Sequence, residues 1–177
     1  MLMVVAIGLM AAGPAAAQGQ PLRVADAVDL TRYAGKWYEI ARYPNKFQKR
    51  CTRDVVAQYR PRTDGRIDVI NQCLDADGRV VQTHGIARKG KAGSSAALQV
   101  RFAPAILSFL PSVWGDYWIL ALGPDYTWAV VGTPSREFLW ILSRTPTMSD
   151  GSYAQALEIV KGNNFDAGRI VRTPQKN

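Results

Sequence analysis

Eight short stretches in which apolar and polar residues alternate occupy residues 35–44, 53–60, 66–74, 79–89, 96–103, 115–123, 126–132 and 138–144. Alternation with a period of two places side chains on opposite faces of an extended chain, and no helical periodicity separates one stretch from the next. Strands joined this closely pair antiparallel, so an all-β antiparallel barrel or sandwich is expected and a parallel sheet is excluded. Thr63-Asp64-Gly65, Asp75-Ala76-Asp77-Gly78, Gly90-Lys91-Ala92-Gly93 and Gly123-Pro124-Asp125 supply the turns. One helix is predicted late, over 150–161. Ser149 caps it, Tyr153, Ala156, Leu157 and Val160 form its apolar stripe, and Gly162 ends it; a short strand from Arg169 to Arg172 follows.

The second and third strands each have one dry and one wet face, the dry face carrying Val55, Ala57 and Tyr59 in the second strand and Ile67, Val69 and Asn71 in the third. Setting Val55 opposite Val69 and Ala57 opposite Ile67 also sets Cys51 opposite Cys73, each pair of numbers summing to 124. Matched apolar faces and bonding distance are met by that one register.

The compartment bears on those cysteines. The chain opens with an uncharged apolar run of about a dozen residues, then Pro and an Ala-x-Ala ending, the pattern of a cleaved secretory signal over 1–17. The run is too short to span a bilayer. No Cys stands near Ala17, so no lipoprotein attachment site is seen, and an exported, soluble, periplasmic or extracellular protein is expected. In such a compartment Cys51 and Cys73 pair as a disulfide.

A length of 177 residues with 47% apolar content fills one domain. The net charge of +8 admits nucleic acid, an anionic membrane surface or plain solubility. Export and the absence of a recognition helix or zinc spacing count against nucleic acid. The chain has one histidine, His84, with no HExxH, no clustered Cys and His, no P-loop and no GxGxxG. No catalytic residue, metal or cofactor is therefore expected.

Three blocks occur in order: Gly35-x-Trp37 in GKWYEIARYP, GPDYTWAVVG at 123–132, and Arg144 in LWILSRTP. With these strands and the late helix, the chain resembles the lipocalins over residues 28–174, in particular the bacterial group similar to apolipoprotein D and the plant temperature-induced lipocalins. The second block differs from the family's Thr-Asp-Tyr form in carrying Pro124 before Asp125 and Tyr126. The resemblance implies an eight-stranded up-and-down barrel with the C-terminal helix packed outside. It also implies that Trp37 closes the narrow end with Arg144 across its ring, Gly35 allowing close entry of the chain after a helical turn near Leu30–Tyr33.

A barrel of this size holds one small ligand when its inner face is not filled. The inner wall is expected to include Val55, Ile67, Leu98 and Ile119 with a ligand-contacting set of Tyr43, Ala57, Tyr59, Val69, Asn71, Val100, Phe102, Tyr117 and Trp140. Such residues are either core alone or the wall of a cavity. Glu39 shares parity with Trp37 and points inward, where a carboxylate needs a partner. The connection 104–114, PAILSFLPSVW, carries Phe109, Leu110 and Trp114 and sits by resemblance at the mouth, beside Lys46, Lys49 and Arg50. This lip either docks on anionic lipid or packs on itself.

The expected function is transport of one fatty acid or lysophospholipid, by a monomer or weak dimer, in membrane maintenance or stress. Two alternatives stand beside it: a lipid-modifying enzyme using Glu39 and His84, and a protein-interaction module using loop 104–114.

Overall fold

Every expected strand forms, most of them trimmed by a residue or two at the ends. The structure is a computed structural model that describes residues 20–90 and 93–176, and the expected signal over 1–17 lies outside them. The strands are β1 (Gly35–Arg42), β2 (Arg53–Pro61), β3 (Ile67–Leu74), β4 (Val80–Lys89), β5 (Ala97–Arg101), β6 (Gly115–Leu122), β7 (Trp128–Gly132) and β8 (Leu139–Ser143). Neighbours in sequence pair antiparallel, and β1 pairs with both β2 and β8, which closes an eight-stranded barrel without a free edge. A ninth strand, Val171–Arg172, lies beside Ala41 and Arg42.

A short helix α1 (Leu30–Tyr33) precedes β1, capped by the Asp29 carboxylate on Thr31 N (2.8 Å) and Arg32 N (3.2 Å). The late helix α2 (Asp150–Gly162) is capped by Ser149. Gly162 is its last residue and Asn163 its C-cap. Ala156 and Val160 are buried against Leu120, Trp128, Val130, Leu139 and Ile141 on the outside of the barrel. A second apolar cluster, with Trp37, Tyr59, Val69, Leu98 and Ile119, fills the lower half of the inside. This explains why β6, β7 and β8 are apolar on both faces.

The β2–β3 register differs from expectation. Tyr59 pairs with Val69 and Ala57 with Asn71, a sum of 128 and not 124. The turn decides it: Arg62 N donates to Arg66 O (2.8 Å) and Gly65 adopts φ +77°, which centres the hairpin on Asp64. Sums of 124 and 128 bury the same faces, so apolar matching alone does not choose between them. Cys51 still bonds to Cys73, at a Cα separation of 5.5 Å. A bulge between Arg53 and Val56, with Asp54 at φ +53°, moves the sum from 128 to 127, and Cys51, ahead of β2, reaches Cys73 from outside the ladder.

Candidate functional site

The three sequence blocks converge at the lower end of the barrel. Gly35 turns the chain at φ +97°, and a β-carbon there would stand 3.3 Å from the Arg144 guanidinium. Trp37 is fully buried, its indole N–H donating to Tyr33 O (2.8 Å), and Arg144 lies 3.8 Å over its ring. Arg144 also donates to the carbonyls of Arg32 (2.6 Å), Ala34 (2.9 Å), Lys36 (3.1 Å) and Tyr126 (3.3 Å). The middle block contributes Tyr126, whose hydroxyl accepts from Asp29 N (2.9 Å) while Arg32 covers its ring at 4.4 Å.

Above this floor is a cavity of about 620 Å³. Ala57, Tyr59, Val69, Asn71, Val100, Phe102, Tyr117 and Trp140 line it, together with Val55 and Leu98. Ile67 and Ile119 lie in the packed cluster beneath and do not reach it. At its deep end the Tyr117 hydroxyl bonds those of Tyr33 (2.7 Å) and Tyr59 (2.9 Å). Burial pushes the Tyr59 phenol up to about 12 against the opposing effect of its bond to Tyr117. Burial, then the neighbouring phenols, hold Tyr33 and Tyr117 well above the ordinary tyrosine range.

Tyr43 is the exception in the expected set. It faces outward, buried against Phe165 under α2, and its hydroxyl donates to Asp166 O (2.8 Å). The cause is a bulge in β1: Glu39 pairs with Leu142 but Ala41 pairs with Ile141, so Ile40 is an extra residue and inside and outside exchange beyond it. Burial raises the Tyr43 phenol as well.

Glu39, before the bulge, lines the cavity and is 3% exposed. Its carboxylate accepts from Arg42 (2.8 Å), Thr173 (2.6 Å) and Gln48 (2.5 Å), and Gln48 in turn accepts from the Trp140 indole (3.0 Å). Gln48 and Phe47 were not legible as wall residues, because they stand in a connection where no periodicity assigns a face, whereas Phe138, which also lines the cavity, shares the parity of Trp140 in the expected strand 138–144. His84 is on the outer wall, so the barrel wall separates Glu39 from His84 and the nominated acid–base pair is not assembled.

The mouth is formed by the 43–52 and 102–114 connections. Lys46, Phe47, Phe102 and Trp114 border the cavity, and Lys49 and Arg50 are exposed beside them. Loop 104–114 forms two 3-10 turns and does not bury its apolar side chains: Ile106 is 80% and Phe109 74% exposed, and Leu110 is at the surface. Trp114 is half-buried, with Arg88 stacked 3.7 Å over its ring.

Comparison with known proteins bears on this architecture. The family model described as a lipocalin-like domain matches residues 28–175. Temperature-induced lipocalin-1 of Arabidopsis thaliana is 39% identical over 158 residues, covering 88% of this chain and 84% of the relative. Outer membrane lipoprotein Blc of Citrobacter freundii is 39% identical over 153 residues, covering 86% and 82%, and mouse apolipoprotein D is 31% identical, covering 87% and 80%. Among solved structures, apocrustacyanin C1 superposes with a TM-score of 0.68 at 20% identity, covering 84% of this chain and 81% of its own, and shares the fold. A closed barrel, a floor built from the three blocks and relatives matched along most of their length lead to one assignment: the chain belongs to the lipocalin family.

Proposed function

We propose that this protein, exported after loss of residues 1–17, carries one fatty acid or lysophospholipid by burying its acyl chain in the barrel. The observation that carries the reading is the blind cavity of about 620 Å³, closed below by Trp37 and Arg144 and open above. That volume lies within the range of small-ligand sites, roughly 300 to 1,000 Å³. Ala57, Tyr59, Val69, Val100, Phe102, Tyr117 and Trp140 contact the chain, and Asn71 offers a polar group on the wall. Burying about 300 to 400 Å² of acyl surface at ~25 cal/mol/Å² provides a gross driving force of roughly 7 to 10 kcal/mol, from which association costs are subtracted. Micromolar affinity follows. Lys46, Lys49 and Arg50 at the lip favour an anionic head group over a neutral sterol.

The exposed Ile106 and Phe109 beside this basic lip suit contact with an anionic membrane, from which cargo is taken up or to which it is delivered in maintenance or stress. The name of the Blc relatives, outer membrane lipoprotein, supports work at a membrane. Separation of Glu39 from His84 favours carriage over catalysis by that pair.

Native mass spectrometry of the mature protein, followed by solvent extraction and lipid analysis, tests the reading. A stoichiometric fatty acid or lysolipid is expected. A protein that is empty and also fails to take up either added lipid would overturn it.

A further inference from the structure

The outer wall carries a second depression of about 410 Å³, which has Val69 and Ala103 in common with the cavity lining. Arg60 of β2, His84 of β4 and Arg101 of β5 border it, and Ala103 and Ala105 of the mouth loop form its upper edge. Arg101 is the unusual member. It is 3% exposed, yet no carboxylate pairs with it among the described residues. One amino group donates to Ala103 O (2.5 Å), the Trp114 ring lies 5.3 Å away, and its Nε is buried without a partner. A buried guanidinium with neither counter-ion nor full hydrogen bonding is strongly unfavourable, and an anion in the adjoining depression relieves it. The one carboxylate there, Asp68, is engaged by Arg62 at 3.0 Å, which blunts its repulsion of an anion. His84 is hydrogen-bonded to Gln82 (2.6 Å).

We propose that Arg60, His84 and Arg101 form a binding site for the phosphate of an anionic phospholipid, occupied while Ile106 and Phe109 enter the bilayer. A guanidinium fork suits phosphate oxygens. The lipid source is favoured over free phosphate because Ala105, at the edge of the depression, begins the turn that presents Ile106 to solvent. A headgroup seated there has its acyl chains next to the exposed apolar residues. The site rests on the membrane contact proposed above and is independent of the cargo in the cavity.

The test is co-sedimentation of the mature protein with vesicles of phosphatidylcholine alone or mixed with phosphatidylglycerol, alongside a fluorescent fatty acid titration. The unmodified protein is expected to prefer the phosphatidylglycerol vesicles. Arg60→Ala with His84→Ala, both exposed and so safe for folding, lowers that preference several-fold, and Arg101→Lys, which keeps the charge but loses the fork, lowers it further; fatty acid uptake is unchanged in both. Phe109→Ser reduces binding to both vesicle types. A preference unaltered in the first two variants would overturn the headgroup site, whereas no vesicle binding by the unmodified protein would overturn the membrane contact beneath it. Inorganic phosphate or an acidic peptide bound through Arg101, with no vesicle binding, would reassign the site to a soluble anion and overturn the lipid source.

Discussion

Arg144 and Trp37 share one contact that joins two ends of the fold: the guanidinium carbon of the first lies 3.8 Å over the ring of the second. The same side chain ties down the entry to β1 through the carbonyls of Arg32, Ala34 and Lys36. Burial lowers the Arg144 pKa, an effect that the neighbouring Tyr33 opposes.

Arg144→Ala should therefore destabilise by about 2 to 4 kcal/mol, through the lost cation–π contact and carbonyls left short of a donor. Arg144→Lys recovers only part of this, because one ammonium cannot serve the same spread of acceptors. Urea unfolding followed by tryptophan fluorescence measures both; equal stability of Arg144→Ala and the parent would show that the plug is decorative.

Gly35→Ala should be destabilising by about 1 kcal/mol or more, since φ is +97° and the new carbon would meet Arg144 at 3.3 Å. Gly93→Ala, at φ +73° with nothing within 4 Å, is the control for conformational strain alone. A smaller effect at position 35 than at position 93 would refute the close-approach argument.

Ala57→Phe adds volume where the wall meets empty space, so it escapes the usual overpacking penalty. Fatty acid affinity should fall at least about tenfold, about 1.4 kcal/mol, with the melting temperature held or raised. Undiminished affinity in a titration would place the ligand elsewhere.

Alkaline pH should unfold the protein through its tyrosines. The folded Tyr59 pKa is about 12 against 10.0 for the free group, so its contribution to stability is complete below pH 10 and is lost as pH rises toward 12. The slope is about 1.4 kcal/mol per pH unit for each such phenol, and Tyr33 and Tyr117 shift in the same direction. Stability curves between pH 9 and 12 should be flatter for Tyr59→Phe; identical slopes would contradict the buried hydroxyl cluster.

Replacing Cys51 and Cys73 together by Ser removes a link across 22 residues and should cost about 3 kcal/mol in the chain-entropy description. A reductant should lower the melting temperature of the parent protein and leave the double variant unmoved.

The amino-acid sequence reveals the strands through their alternation and turn residues, the helix through its Ser149 cap and apolar stripe, and the barrel through three blocks resembling a known family. It also carried the information for the β2–β3 register in Gly65, although the apolar faces, which repeat every two residues, are satisfied equally by the wrong pairing. The rest was set by packing. Tyr43 turned outward because an extra residue at Ile40 is accommodated only where β1 must pair with β8, a constraint that β1 does not contain. Gln48 and Phe47 became cavity wall because a connection without periodicity takes its place from what it crosses. The isolation of Arg101 likewise belongs to the assembled wall: a residue's own position in the chain fixes its charge, but only packing fixes which partners are within reach.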